Sequence, residues 1–321
     1  MKVTFLLTDA RLMSGGQRVL AQMAAHLAAQ GHGVTLISSP RDTRVPLRER
    51  IGVLLGRRAP RLKMPPFEGS HFHAAGLEVI WTEPGAKIAS AQIPDGDAVI
   101  ASWWECAEWM NDLPPEKGRQ VHLIQDRETF PYLPLDRVEA VYRHPRAKIA
   151  IAGWLQRTMR EDFGADADLA PNGVDAAWFD AAPRGRGAPL TVGFLFSPAP
   201  RKNVGLAVAA LELARARIPG LRAVAFGAHD HGGALPGWID YEIRPAQTRI
   251  REIYASCDGW LFPSASEGFG LPILEAMGCR TPVLATHAGA APDLIEDGVN
   301  GRLLPDEPEA FAAALVDLFA A

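Results

Sequence analysis

The chain has 321 residues, which at the usual prior of roughly 100–200 residues per domain points to two domains. Hydrophobic residues make up 48%, ample for two cores, and the net charge of −4 argues against general electrostatic attraction to nucleic acid. Three cysteines, Cys106, Cys257 and Cys279, are too few and too scattered for a disulfide framework or a zinc site, and they fit a reducing cytoplasm. No run approaches the roughly 20 apolar residues needed to cross a bilayer. The expectation is a soluble cytoplasmic protein, with peripheral contact at the inner membrane face left open.

Short apolar runs alternate with helical patterns. Residues 3–7 read as a buried strand, followed by a loop with Ser14, Gly15 and Gly16. Val19, Leu20, Met23, Ala24 and Leu27 then recur at helical spacing, and Gly31 is placed to stop the helix. Residues 34–37 complete a βαβ unit, whose handedness favours a parallel sheet. Further strands are predicted at 77–81, 98–101, 121–124 and 148–151. Residues 41–70, rich in Arg and Pro, read as a weak helix near 47–55 and a loop over 57–69, either a binding element or a surface insertion.

Pro183, Gly185, Gly187 and Pro189 mark a composition shift. The predicted division is a Rossmann-like N-terminal domain at 1–178, a linker at 179–189 and a second Rossmann-like domain at 190–321. Strands are expected at 190–196, 223–226, 258–262, 282–285 and 302–304, with Asn203 capping a helix that carries Leu206, Ala210 and Leu213. The fold class is therefore α/β, with two doubly wound domains facing a central cleft. Ligands of such sheets sit at the carboxyl ends of the strands.

The segment after Phe262 carries the chemistry. A polar, glycine-bearing loop leads into a short helix, with Pro272 suited to its first turn and Gly278 to the position just past its end. Free amides and the positive dipole end make such a helix start an anion site, and Gly268 and Gly270 permit close backbone approach. Glu267 and Glu275 flank the turn, and a carboxylate suits adjacent hydroxyls of a ribose or hexose. The structural alternative is that Glu275 caps its own helix start and Glu267 is a solvated loop residue.

Ser264, Glu267, Gly268, Phe269, Gly270, Leu271, Pro272, Leu274, Glu275, Ala276 and Met277 together resemble the donor signature of retaining glycosyltransferase family four, two glutamates separated by seven residues. Residues 27–34, 171–175 and 293–301 are similar to other parts of that family. The likeness is nearly continuous in the C-terminal domain and patchy in the N-terminal one. It implies the GT-B fold, with a donor domain at 190–321 and an acceptor domain at 1–178. Members of this family often continue with a further helix crossing back to the first domain, whereas this chain stops soon after a helical pattern at 308–319. Either the crossing is absent, in which case weaker interdomain packing and larger hinge motion are expected, or the chain is shortened.

By this resemblance Glu275 holds the donor ribose, Glu267 the transferred sugar, and the amides of Gly268, Phe269, Gly270 and Leu271 face phosphate or sugar. Lys202 neutralises the leaving diphosphate. The family's arginine is absent where this chain has Gly193 and Phe194, and Arg201 is the candidate substitute. Gly15 and Gly16 precede the first helix, so their amides can approach phosphate or acceptor; a plain tight turn is the other reading.

In the N-terminal domain, Gln125 and Asp126 follow a predicted strand and are candidates for acceptor or sugar contact. Asp126 joins Glu267 and Lys202 as a candidate catalytic group. Gln125, Asp126 and Glu128 resemble a short stretch of relatives that build surface polysaccharides, and a polar loop explains them equally. Trp103, Trp104 and Trp109 can stack on a sugar or cover a lipid-linked acceptor, with core packing as the competing reading. His122 reads as structural, and Arg280 stands where relatives have glycine.

The expected reaction is retaining transfer from a nucleoside-diphosphate-sugar to a carbohydrate or lipid-linked acceptor, in surface polysaccharide, glycolipid or glycoconjugate synthesis. No cofactor, metal or nucleic-acid partner is implied. The alternatives are a nucleotide-sugar epimerase of the same fold and a non-catalytic carbohydrate- or nucleotide-binding protein.

Overall fold

The computed structural model describes residues 1–40, 69–183 and 185–320. The helix and loop expected within 41–68 lie outside the described residues. Two compact units emerge, one comprising Met1–Ala150 and Gln156–Leu169, the other Ile151–Leu155 and Ala170–Ala321.

The first unit is built on seven strands: β1 (Lys2–Leu7), β2 (Gly33–Ser38), β3 (Ile80–Trp81), β4 (Ala98–Ala101), β5 (Arg119–Ile124), β6 (Ala147–Ala150) and β7 (Asp168–Leu169). They lie in the order β3-β2-β1-β4-β5-β6-β7, with every pairing parallel. Val3 stands opposite both Val34 and Ala98, so β1 is central. Phe5, Leu6 and Leu7 are buried because helices cover both faces of a parallel sheet.

The helix Gly15–Ala29 returns the chain from β1 to β2. Its first turn is held by Ser14, whose hydroxyl accepts the Gln17 amide at 3.3 Å. Gly15 and Gly16 are thus inside the helix, where the sequence suggested a turn before it. Gly31, at φ +83°, ends the unit as expected. The strand expected at 77–81 contracts to Ile80–Trp81. The helix His71–Ala74 and its closing turn, where the Leu77 amide donates to Phe72, occupy the preceding residues.

The second unit has six strands: β8 (Thr191–Phe196), β9 (Arg222–Gly227), β10 (Ile239–Ile243), β11 (Gly259–Phe262), β12 (Val283–Ala285) and β13 (Gly301–Leu303). Their order is β10-β9-β8-β11-β12-β13, again parallel throughout. On one face Leu206, Ala210 and Leu211 of helix Val204–Arg215 pack with Phe311 and Leu315 of helix Pro308–Ala320. On the other face Trp260 packs with Tyr254 and Phe179.

Gly193 is required by this packing, since a Cβ there would stand 2.3 Å from the Trp260 ring and 2.6 Å from Cys257 Sγ. Asn203 does not cap by its side chain: it sits at φ +47°, and its amide donates to Asp306 at 2.8 Å. Gly278 is the last residue of helix Leu271–Gly278 rather than the residue past it. A side chain there would press on Phe179, whose Cβ lies 3.0 Å from the glycine's virtual Cβ. The left-handed position belongs instead to Arg280, at φ +63°. That explains why glycine suits this place. The guanidinium donates to the Ala181 carbonyl at 2.7 Å and pairs with Asp180 at 3.4 Å.

Candidate functional site

In the second unit the strand order reverses between β8 and β11, so the loops leaving their carboxyl ends part there. Doubly wound sheets bind ligands at such a switch point. The loop after β8 carries Arg201 and Lys202, and the loop after β11 carries Ser264 and Glu267. The two loops are tied by the Ala265 amide, which donates to the Arg201 carbonyl at 2.8 Å.

Glu267 is only 7% exposed. Its Oε1 accepts from Lys202 Nζ at 2.5 Å and from the Ser264 hydroxyl at 2.8 Å, and its Oε2 accepts from Arg201 at 3.2 Å. A carboxylate withdrawn from water needs such partners. Two cations face one carboxylate, so the cluster keeps surplus positive charge. Arg201 therefore reaches the turn, whereas Phe194 is wholly buried in the core. Glu267 is not a solvated loop residue.

The chain then runs through Gly268 and Phe269 to Gly270, whose φ of +99° turns it into helix Leu271–Gly278, with Pro272 in the first turn. Phe269 and Leu271 are buried, which anchors the turn from below. Gly289 passes so close that a Cβ would lie 2.5 Å from the Phe269 carbonyl and 2.8 Å from Glu267 Cβ. The Ala290 amide donates to that carbonyl at 2.8 Å. The indole of Trp154, grouped with this unit, donates to the Gly268 carbonyl at 2.9 Å.

Glu275 lies in the second turn of the helix and is 4% exposed. Its Oε2 accepts from the Tyr254 hydroxyl at 2.7 Å. It is therefore not a cap on its own helix start. Tyr254 carried no signal in the sequence, where it reads as one more core aromatic on helix Gln247–Ser256. Ser264 and Gly289 had a weak signal, lying within or near the matched stretch.

In the first unit the order reverses between β1 and β4. Gly15 and Gly16 open the helix after β1, Ser102 and Trp103 follow β4, and Gln125 and Asp126 follow β5. The Gln125 amide donates to Ser102 Oγ at 2.6 Å and to the Gly16 carbonyl at 3.3 Å. Its side chain stands 3.4 Å from where a Cβ of Gly16 would be, so glycine here allows a close approach. Asp126 is partly buried and accepts the Arg127 amide at 2.9 Å.

Sequence reasoning gave Glu128 no role of its own. It is 4% exposed and accepts the Trp104 amide at 2.9 Å. Burial holds its carboxyl well above the usual range against the pull of that amide, and the charge of Asp126 adds to the rise. Its own amide donates to the Tyr142 hydroxyl at 3.0 Å, which in turn donates to the Asp126 carbonyl at 3.3 Å. Buried polar contacts thus join the segments after β4 and β5. Trp104 and Trp109 are buried in the core, while Trp103 is only partly buried.

Among the described residues there is no cluster of three His, Cys, Asp or Glu side chains able to hold a metal, and no helix long and apolar enough to cross a membrane.

Residues 189–321 match the family described as glycosyl transferases group 1. The chain is 33% identical over 183 residues to a phosphatidyl-myo-inositol mannosyltransferase of Mycolicibacterium smegmatis, covering 53% of this chain and 47% of that one. It is 32% identical over 177 residues to a D-inositol 3-phosphate glycosyltransferase of Segniliparus rotundus, covering 48% of this chain and 39% of the relative. The chain thus spans about half the length, or less, of the curated relatives it matches.

Among solved structures, sucrose-phosphate synthase from Thermosynechococcus elongatus superposes with a TM-score of 0.71 at 16% identity, covering 100% of this chain and 90% of that one. HepE of Anabaena, solved in complex with UDP-glucose, gives 0.71 at 19% identity over 99% of this chain and 89% of that one. Likeness at such identity carries the fold alone, and that fold is the GT-B type expected from the sequence. The turn between Glu267 and Glu275 lies inside the segment, residues 189–321, that matches the family described as glycosyl transferases group 1.

Proposed function

We propose that the chain is a retaining glycosyltransferase, moving a sugar from a nucleoside-diphosphate-sugar to a hydroxyl of a carbohydrate or lipid-linked acceptor. The observation that carries this reading is the buried Glu267 held by Lys202, Arg201 and Ser264 across the β8/β11 switch point, with Glu275 eight residues further along behind the same turn. In that role Glu275 takes the donor ribose and Glu267 the hydroxyls of the transferred sugar. Lys202 and Arg201, paired with Glu267 before donor binding, share their charge with the diphosphate as it leaves. The amides from Gly268 to Leu271 face the donor at the helix start.

Asp126, Gly15 and Gly16 are assigned to the sugar and acceptor side, because they follow the carboxyl ends of β5 and β1 in the first sheet, the end at which parallel sheets bind ligands. The names of the relatives favour a lipid-linked or polyol acceptor, and hence synthesis of a glycolipid, surface polysaccharide or other glycoconjugate at the cytoplasmic face of a membrane. The acceptor hydroxyl attacks from the face the leaving group departs, so anomeric configuration is retained.

The test is a panel of nucleotide-sugars screened by thermal shift, followed by turnover with acceptors and assignment of the product anomer by NMR. A donor that raises the melting temperature and yields a product of unchanged anomeric configuration supports the reading. An inverted product removes retention. Interconversion of a donor without acceptor would establish an epimerase instead. Stabilisation without turnover across a broad acceptor panel would favour a non-catalytic binding protein.

A further inference from the structure

The first unit carries an aromatic stack that starts at Trp103, packed against its core, and runs beyond that core; the proposed donor chemistry does not use it. Trp103, directly after Ser102, stacks on Phe130 with ring centroids 6.5 Å apart and planes 19° apart. Phe130 stacks in turn on Tyr132 at 5.6 Å and 6°. The series runs outward: Trp103 and Phe130 are partly buried, whereas Tyr132 is 74% exposed. One face of Tyr132 is thus occupied by Phe130, and the ring ends the stack in solvent.

The stack stands on two segments that follow the carboxyl ends of β4 and β5, where ligands of parallel sheets bind. The same segments present polar groups, Ser102, Gln125 and Asp126, and the contacts of Glu128 with Trp104 and of Gln125 with Ser102 fix them to one another. The exposed aromatic surface is small. Among its neighbours in sequence Arg127, Thr129, Asp136 and Arg137 are exposed and polar, and Leu135 is the other large apolar side chain exposed in this stretch. A protein partner needs on the order of 1,000 Å² of contact, which one ring among charged neighbours does not offer. A ring-sized ligand suits it: a pyranose has a face of C–H groups that packs on an aromatic face and a rim of hydroxyls that seeks planar polar side chains.

We propose that Trp103, Phe130 and Tyr132 form a carbohydrate-stacking platform that receives a pyranose ring on the free face of Tyr132. Its assignment to the acceptor rests on the transferase reading above; the stacking itself does not.

Ligand-observed saturation-transfer NMR with the methyl glycosides of glucose, mannose, galactose and rhamnose tests the platform directly. The full chain, Tyr132→Ala and Tyr132→Phe are compared. At least one glycoside is expected to bind the unaltered chain with saturation strongest on its ring C–H protons. Tyr132→Phe keeps that binding, and Tyr132→Ala weakens it roughly three- to tenfold, the range expected for one aromatic contact. Because Tyr132 is exposed, both variants are expected to melt as the unaltered chain does. No binding by any of the four glycosides, unchanged binding by Tyr132→Ala, or equal loss in Tyr132→Phe overturns the proposal. Donor binding measured in parallel by calorimetry keeps the two readings apart. A donor that binds while Tyr132→Ala has no effect on glycoside binding removes the platform and leaves the transferase. Glycoside binding that depends on Tyr132, with no donor bound, does the reverse.

Discussion

Mild acid should loosen the first unit through one residue, His122 on β5, the strand that leads to Gln125 and Asp126. The side chain is wholly buried and stacks on Tyr142 at 5.7 Å. Burial first, and then the positive charges of Arg146 and Lys148, bring its pKa from 6.5 down to about 3 against a smaller upward pull from the Ser102 backbone. Between those values the unfolded chain binds a proton that the folded chain refuses, so stability falls as pH falls through the window. The fall from 6.5 to about 3 corresponds to about 5 kcal/mol, reached in full only below pH 3. At pH 4.5 the loss is already about 3 kcal/mol.

His122→Leu removes the proton site at similar volume. Urea denaturation of both proteins at pH 7.5, 5.5 and 4.5 isolates the effect. The variant should match or exceed the unaltered chain at pH 7.5 and gain on it by about 3 kcal/mol at pH 4.5. Glu128 acts in the opposite sense, costing stability as pH rises above the ordinary carboxyl range, but it is common to both proteins and cancels in the difference. A stability difference that does not change with pH would refute the reasoning.

Two further outcomes follow from the packing of the second unit. Gly193→Ala drives a methyl into Trp260 and Cys257 and should cost about 3 kcal/mol in urea unfolding. Since Trp260 packs on Tyr254, which holds Glu275, donor affinity should fall with it. Arg280→Gly relieves a left-handed backbone but loses the contacts to Ala181 and Asp180, so stability should change by less than about 1 kcal/mol. Arg280→Ala, which loses the contacts without relieving the backbone, should be about 1 kcal/mol less stable than Arg280→Gly.

Much of the fold was legible because parallel strands covered on both faces leave unbroken apolar runs. The strand expected at 98–101 is found as Ala98–Ala101, and others differ by a residue or two. The exceptions have physical causes. β10 alternates Ile239 and Tyr241 with Asp240 and Glu242, as a half-exposed edge strand does, and β7 is only two residues long. Asn203 stands at the N-cap as expected but without a side-chain capping bond, and Gly278 lies one residue inside its helix, for a different reason. Capping preference describes an isolated helix end, whereas the pairing of Asn203 with Asp306 and the approach of Phe179 to Gly278 come from elsewhere in the chain.

The site divides in the same way. Glu267 and Glu275 stand in one local stretch and could be read together, and Arg201 and Lys202 were drawn in by resemblance. Tyr254 and Glu128 act through partners distant in sequence, and nothing in their local pattern distinguishes them from core residues.

The most direct test of the donor site is calorimetric titration of UDP and of GDP into the unaltered chain and into Glu275→Gln. Glutamine keeps an acceptor for the Tyr254 hydroxyl and preserves the helix, while removing the charge that pairs with ribose hydroxyls. The expected result is that at least one nucleotide binds the unaltered chain and binds Glu275→Gln roughly tenfold or more weakly, with the melting temperature of the free protein little changed. Equal binding by the two proteins would contradict the assignment of this turn as the donor site.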